Sequence, residues 1–211
     1  MIITYHGLSF CKVQLGDTVI AVNPISKGSK RASTKFGADI VLVSLQHPDF
    51  NGIEQVSYGD RVPFTINGPG EYEVKGVSIK GVGVSTVYEK ENRIVTAYSI
   101  SLEGMNLCFL GPIKSKDSLA EAVREFDDID LLFVPIGGGE VLSPVDAHKL
   151  SVSLEPKIII PVFFDGSGAK SPLGVFLKEG GNESVKSVDR LTIRKKDLEG
   201  KEEDVVILEL L

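Results

Sequence analysis

Two residues that can ligate a metal or exchange a proton follow a strongly apolar stretch of the sequence. The segment VLVSLQHPDF, residues 41–50, begins as a buried strand and ends with His47 and Asp49 in a polar run. Imidazole and carboxylate groups bind zinc, and the same groups serve as general acids and bases. A structural role also explains them: Asp49 caps the following turn, and His47 bonds to Asp49 or to the backbone. We favour the structural role, because an isolated H-x-D pattern occurs in many loops.

The chain has too few histidines for a large metal centre. Only His6, His47 and His148 occur among the 211 residues, and Cys11 and Cys108 lie in apolar runs without a C-x-x-C pair. A catalytic zinc needs about three protein ligands. His6 is expected at a strand end, bonded to the backbone, and His148 near the solvent side of a helix. Neither adds a clear ligand to His47.

Composition and charge are those of an ordinary globular protein. With 42% hydrophobic and 25% charged residues, residues 1–211 can form one large domain with a substantial core. The formal net charge of −6 disfavours nucleic acid and anionic membrane surfaces as partners. No secretion signal is evident, and no apolar run reaches the roughly 20 residues that span a bilayer. We therefore expect a cytoplasmic protein.

Local patterns predict hairpins and two helices. Strand-like alternation predicts hairpins that turn at Gly76 and at Glu103–Gly104. Apolar residues at helical spacing predict a helix over 115–128. A second helix is predicted over 143–154, with Ser143 as its N-cap and proline in its first turn.

Continuous apolar runs predict the centre of the fold. Three such runs each end in turn-forming or polar residues and predict strands buried on both faces, at 39–47, 130–139 and 156–166. Two closing strands are predicted within 188–196 and 202–211. The alternation of strands and helices predicts an α/β fold, with sheets that helices cover.

Six motifs, in this order, resemble the metallo-β-lactamase superfamily. They are MIITYHGLSFCKVQLGDTVIAVNP, ADIVLVSLQHPDFNG, NGPGEYEVKGVSIKGV, CFLGPI, DLLFVPIGGG and PKIIIPVFF. The GPGEYEVKG and P-x-GG motifs are similar to those of the Zn-dependent hydrolase branch that includes L-ascorbate-6-phosphate lactonase-like proteins. The resemblance covers nearly the whole chain. It implies a four-layer αβ/βα sandwich, a zinc cofactor and a hydrolytic reaction.

Most ligand positions implied by this resemblance carry other residues here. The family's H-x-H-x-D-H loop corresponds to residues 45–50, where only His47 and Asp49 are retained and Leu45 and Phe50 replace histidines. The later histidine, aspartate and histidine positions fall at Thr86 or its neighbour Ser85, at Pro112 and at Phe163. The supporting Asp-Pro pair reads Asn23-Pro24. Zinc is therefore implied by the family, but the residues of this chain predict no metal.

The replacements at three of these positions are large and apolar. We expect Leu45, Phe50 and Phe163 to converge on the pocket that held the metal. Unpaired ligands in a desolvated cavity are costly, whereas burying an apolar side chain stabilises by about 1.5 to 3 kcal/mol. Packing of these side chains is expected to offset much of the folding energy that a metal supplies.

Three functions fit these observations. The leading hypothesis is a non-catalytic protein of this fold that acts as a binding or assembly module, with an unknown protein partner or as a homo-oligomer. The alternative is a metal-dependent hydrolase of a phosphate ester, lactone or similar small substrate, with a reduced site around His47 and Asp49. The third is metal-free binding of a small molecule in the old cleft.

Overall fold

Thirteen strands and three α-helices carry the fold in the computed structural model, which describes residues 1–116, 119, 122–126, 128–166 and 168–211. The strands are β1 Ile2–Tyr5, β2 Cys11–Leu15, β3 Thr18–Val22, β4 Ile40–Leu42, β5 Phe64–Ile66, β6 Gly70–Val74, β7 Val77–Tyr88, β8 Glu91–Leu102, β9 Met105–Phe109, β10 Leu131–Pro135, β11 Ile158–Val162, β12 Leu191–Thr192 and β13 Asp204–Val205. The helices are α1 Ile53–Val56, α2 Pro144–Ser153 and α3 Pro172–Glu179.

These strands form two mixed sheets. The first has the order β12-β1-β2-β3-β4-β5, and the second has the order β13-β11-β10-β9-β8-β7-β6. The pairs β3–β4 and β4–β5 are parallel, as are β9–β10, β10–β11 and β11–β13. The carboxyl ends of parallel neighbours lie at the same edge of a sheet, so the loops that follow them lie close together there.

The main core lies between the two sheets. Alternate residues of β4 point to opposite sides: Ile40 and Leu42 belong to a cluster that joins both sheets, whereas Val41 belongs to a second cluster. Tyr98 of β8 spans the first cluster and donates its hydroxyl to the carbonyl oxygens of Val43 and Ile66 at 3.0 and 3.3 Å. Buried residues of α2 and α3 cover the outer face of the second sheet.

Most elements agree with the sequence patterns. The Gly76 hairpin joins β6 to β7, and Glu103 and Gly104 turn between β8 and β9, with φ of +50° and +69°. Ser143 caps α2 by accepting the backbone N–H of Asp146 at 3.1 Å. The strands β4, β10 and β11 are buried throughout. These observations confirm the predicted α/β class.

The carboxyl-terminal part differs from expectation. The two predicted closing strands are only two residues long each, and a 3₁₀ turn at Lys195–Leu198 lies between them. Helix α3 was not predicted from the sequence. Its N-cap is Ser171 and its first residue is Pro172, the same serine–proline arrangement that begins α2. Much of the helix predicted over 115–128 lies outside the described residues, and the described part includes a 3₁₀ turn at Val123–Glu125.

No helix in the described part of the chain is both long enough and apolar enough to cross a bilayer.

Candidate functional site

A cleft of about 740 Å³ lies where the loops after β4, β10 and β11 meet the turn between β7 and β8. Its lining includes polar side chains from three of these segments and one aromatic residue from the loop after β11: His47, Asp49, Tyr88, Glu89, Glu140 and Phe163. This cleft, called the His47 cleft below, is where the sequence places the remnant ligands.

His47 is held by hydrogen bonds at both ring nitrogens. Its Nδ1 accepts the backbone N–H of Asp49 at 3.2 Å, which leaves the ring proton on Nε2. Nε2 lies 3.2 Å from a carboxylate oxygen of Glu89. The predicted bond between His47 and the local backbone is therefore present. Because both nitrogens are engaged, the ring must move before it can bind a metal.

Asp49 has a different role from the predicted turn cap. The hydroxyls of Ser29 and Tyr88 donate to its two carboxylate oxygens, the second at 3.1 Å. The backbone N–H groups of Phe50 and Asn51 bond instead to the carbonyl oxygen of His47. The carboxylate thus joins two distant loops to β7, which is why local sequence could not assign its partners.

Tyr88 stays protonated over the whole neutral range. Burial of its ring raises the phenol pKa far above the usual value, and the negative charge of Asp49 raises it further. Its hydroxyl therefore acts as a hydrogen-bond donor to Asp49, and it cannot supply an oxyanion nucleophile at neutral pH.

An aromatic cluster closes the floor of the cleft. Phe50 is fully buried, stacks on Phe163 with a centroid distance of 6.1 Å and meets the edge of Tyr88 at 5.4 Å. The His47 ring contacts Tyr88 at 5.1 Å. Two positions that the family resemblance gives to histidine ligands, those of Phe50 and Phe163, therefore pack against each other.

The backbone of Phe163 is fixed in a left-handed conformation with φ +58°. Its N–H donates to the carbonyl oxygen of Leu8 at 2.6 Å, and the Tyr5 hydroxyl lies 3.2 Å from the same nitrogen. A Cβ on Gly137 would collide with the Phe163 carbonyl oxygen, so the glycine of the P-x-GG motif allows this close approach.

Asn23 occupies the position that the family resemblance gives to a supporting aspartate, and it holds the end of β4. Its side-chain oxygen accepts the backbone N–H of Ser44 at 2.7 Å, and its own N–H bonds to the carbonyl oxygen of Leu42 at 2.8 Å. Asn23 has φ +53°, a conformation that asparagine adopts more readily than most residues. The end of β4 is therefore held by a neutral amide.

Glu89 and Glu140 are site residues that the sequence analysis missed. Glu89 and Lys90 form the two-residue turn between β7 and β8, with φ of +48° and +66°. Such turns favour asparagine and glycine, so the strand signals on either side were the only hint of a hairpin here. The N–H of Glu89 donates to the Glu140 carboxylate at 2.9 Å, which ties this turn to the loop after β10.

Four of the five predicted pocket positions do not line the cleft, and Phe163 is the one that does. Leu45 and Pro112 are buried in the protein interior. Thr86 shares a face of β7 with Tyr88 but lies two residues earlier, about 6.6 Å along the strand. Its hydroxyl accepts the N–H of Lys114 at 3.2 Å, beside a separate small depression. Leu45 and Phe50, which were expected to converge with Phe163 on one pocket, belong to the buried core against which Phe163 packs, and neither lines the cleft.

The other two histidines lie outside the cleft. His6 is buried between Phe10 and Phe36, and its Nε2 lies 3.0 Å from the Thr4 hydroxyl. Burial lowers the pKa of its imidazole, and the nearby Lys12 lowers it further. His148 packs against the ring of Phe176 at a centroid distance of 5.8 Å.

The donors present in the cleft do not fit a zinc centre. Among the described residues, no three side chains of histidine, cysteine, aspartate or glutamate are placed to hold one metal ion. The Asp49 carboxylate already accepts hydrogen bonds from two hydroxyl groups, and both ring nitrogens of His47 take part in hydrogen bonds. The residues that approach the cleft floor, Phe50 and Phe163, have no lone pairs to offer. We therefore derive no chemical step through a metal.

Comparison with known proteins places the fold. A family profile described as a β-lactamase superfamily domain matches residues 2–163, most of the chain. The chain belongs to this superfamily. Its metallo-β-lactamase fold, predicted from the sequence motifs, is confirmed by solved structures of the same architecture.

Relatives within the superfamily carry hydrolase names. A Listeria innocua protein named UPF0173 metal-dependent hydrolase is 22% identical, with 78% of this chain and 86% of that protein covered. A Thermotoga maritima structure, assigned to the Zn-dependent hydrolases of the metallo-β-lactamase superfamily, is 28% identical, with a TM-score of 0.75 and coverage of 100% and 99%. The metallo hydrolase Igni18 from Ignicoccus hospitalis shares the fold at 16% identity, with a TM-score of 0.64 and coverage of 99% and 94%.

Proposed function

We propose that this chain uses the His47 cleft to bind a small polar molecule and does so without the metal centre of its relatives. The observation that carries the proposal is the packing of Phe50 against Phe163. These side chains lie where the family resemblance places histidine ligands. Above them a cleft of ligand size remains, lined by carboxylates and by an imidazole.

The experiment that tests this proposal measures metal content and metal affinity directly. The purified protein is incubated with zinc, manganese or iron, desalted and analysed for bound metal, and zinc is also titrated in a calorimeter. We expect less than one equivalent after desalting and the same value in His47→Ala. One equivalent or more of metal that disappears in His47→Ala would contradict the proposal.

Hydrolysis is the second candidate function, and the names of the relatives favour it over a non-catalytic role. In this case His47 and Asp49 form a reduced site for a phosphate ester, lactone or similar small substrate. Glu89 lies on the far side of the His47 ring, 3.2 Å from Nε2, and positions it. Binding of substrate must first release one of the two bonds to the ring, because neither nitrogen is free.

A substrate screen separates the two functions. Esters, lactones and phosphodiesters are offered to the wild type, to His47→Ala and to Glu140→Gln, in the presence and absence of added metal. The binding proposal predicts no turnover above background in any protein. Turnover that falls at least about a hundredfold in His47→Ala would establish the hydrolase instead, since a positioned acid or base contributes on that order.

An assembly role stays a prediction that can be checked in parallel. Sedimentation of the purified chain over a range of concentrations tests for a homo-oligomer, which the sequence analysis offered as one form of that role.

A further inference from the structure

A second cavity of about 500 Å³ lies beside the His47 cleft. It is bounded by the residues after β1, the segment that follows β11, helix α3 and the last residues of the chain. Its walls are mainly aliphatic and aromatic, and include Leu8, Ile25, Phe164, Leu173, Ile207 and Leu210. A concave space of this size and character suits the apolar part of a small molecule.

The two cavities share a wall. Leu8, Arg31, Phe164 and Asp165 line both of them. Arg31 and Asp165 form an ion pair at 3.0 Å across this wall, and their side chains are 50% and 77% exposed. An ion pair so open to solvent contributes little to stability. One elongated ligand can therefore reach from the apolar cavity into the cleft by displacing a weak contact.

Charge in the cleft selects the polar end of such a ligand. The acidic residues of its described lining outnumber the lysines and arginines by four to two: Asp49, Glu89, Glu140 and Asp165 against Lys30 and Arg31. Arg31 is already paired with Asp165, and Asp49 accepts hydrogen bonds from neutral hydroxyls. The rings of Tyr88 and Phe163 also line the cleft, and aromatic faces attract cations.

We propose that the ligand of this protein is an amphiphilic amine, with its protonated head in the His47 cleft and a linear apolar tail in the adjoining cavity. This inference rests on the proposed function of the cleft and names the ligand class. The ammonium head group donates hydrogen bonds to the carboxylates of Glu89 and Glu140, and the tail displaces water from the aliphatic walls. No bond is made or broken.

Calorimetric titration of the full chain tests both halves of this assignment. Butylamine, hexylamine and octylamine are compared with octanol and octanoate at pH 7. Each added methylene is expected to tighten binding roughly fourfold, so octylamine binds about two hundredfold more tightly than butylamine. Octanol is expected to bind less tightly than octylamine, and octanoate least tightly, because the carboxylates of the cleft repel its charge.

Variants locate the two ends of the ligand. Ala32 lines the apolar cavity from an exposed position, so Ala32→Trp adds bulk there without disturbing the core. It is expected to weaken octylamine about tenfold and to leave butylamine unchanged. Ala169→Trp is the matched control, because Ala169 is exposed and does not line the cavity. Glu140→Gln is expected to weaken both amines and to leave octanol unchanged.

The outcomes distinguish this inference from the function on which it rests. Equal affinity for butylamine and octylamine, or no effect of Ala32→Trp, would overturn the tail site and leave the cleft as a binding site. Octanoate binding more tightly than octylamine would overturn the amine assignment. Stoichiometric metal in the purified protein would overturn the proposed function itself, whatever the amines do.

Discussion

Two carboxylates that flank strands of different sheets have opposite surroundings. Asp130 lies just before β10 and accepts bonds from Lys157 at 2.7 Å, from Lys195 at 2.9 Å and from the N–H of Asn106 at 2.9 Å. Asp49, beyond the end of β4, faces the hydroxyls of Ser29 and Tyr88. No lysine or arginine forms an ion pair with Asp49 in the part of the chain that the structure describes.

The difference separates a charge that two fixed lysines balance from a charge that no lysine or arginine of the described residues balances. Burial alone would raise the pKa of Asp130, but its bonds to Lys157 and Lys195 outweigh burial and lower that pKa. Asp49 is oriented by neutral donors, so its negative charge is not cancelled by a fixed cation. A ligand with a positive charge can supply the missing partner, whereas none is needed at Asp130.

The largest expected effect on stability comes from removing the buried ring of Phe50, the residue that follows Asp49. Phe50→Ala is expected to lower the free energy of unfolding by about 4 kcal/mol, because a fully buried aromatic ring is lost and a cavity remains. Urea unfolding of the purified variant measures this change. Phe64→Ala, at an exposed edge strand, is the control and should cost less than about 0.5 kcal/mol. Equal losses in the two variants would contradict the packing account.

The comparison between Asp130 and Asp49 is tested by replacing each carboxylate with the corresponding amide. Asp130→Asn is expected to cost about 2 kcal/mol at pH 7, because two lysine ammonium groups lose a buried charged partner. Asp49→Asn keeps an oxygen acceptor for one of the two hydroxyls and presents its NH2 group to the other, which can rotate to accept, so the change should cost less than about 1 kcal/mol. Urea unfolding at the same pH measures both. A larger loss at Asp49 would reverse the assignment of the two roles.

Acid should act on Asp130 in a defined range of pH. Its folded pKa is lowered, so its contribution to stability is present above the unfolded pKa of about 3.9 and is lost as the pH falls through the folded value. Below about pH 4, the wild type should therefore lose stability more steeply than Asp130→Asn. Urea midpoints from pH 7 to pH 2.5 measure this difference, and parallel curves would show that the ion pairs contribute nothing.

A small effect on stability is expected at Tyr88. Tyr88→Phe removes the hydroxyl that donates to Asp49 and keeps the ring that packs on Phe50, so it should cost about 1 kcal/mol. Combined with Asp49→Asn in a double-mutant cycle, the two changes should be non-additive, because they share one hydrogen bond. Full additivity would mean that this bond does not form in solution.

The sequence predicted the framework better than the cleft. Apolar runs identify β4, β10 and β11 because strands buried on both faces need apolar residues at every position. Ser143 identifies the start of α2 through a bond that spans three residues. Such signals are local, so a single sequence carries them.

The cleft depends on contacts that local sequence does not encode. Asp49 bonds to Tyr88, 39 residues later, and His47 bonds to Glu89, 42 residues later. The ligand positions taken from the family resemblance identified His47 and Asp49 but also included Thr86, which lies on the same strand two residues away from the cleft residue Tyr88. To assign a cleft residue on β7, one must know which end of the strand reaches the cleft, and only the folded structure shows this.

The Asn23 amide offers a route to protein engineering. Because it anchors the Ser44 N–H without any ion, the path of the His47 loop does not rely on coordination. The chain can therefore serve as a starting scaffold to which histidines are added one at a time, by the substitutions Phe50→His, Phe163→His and Leu45→His. The first variant in this series that retains zinc would show how many histidine donors the fold needs to bind the metal.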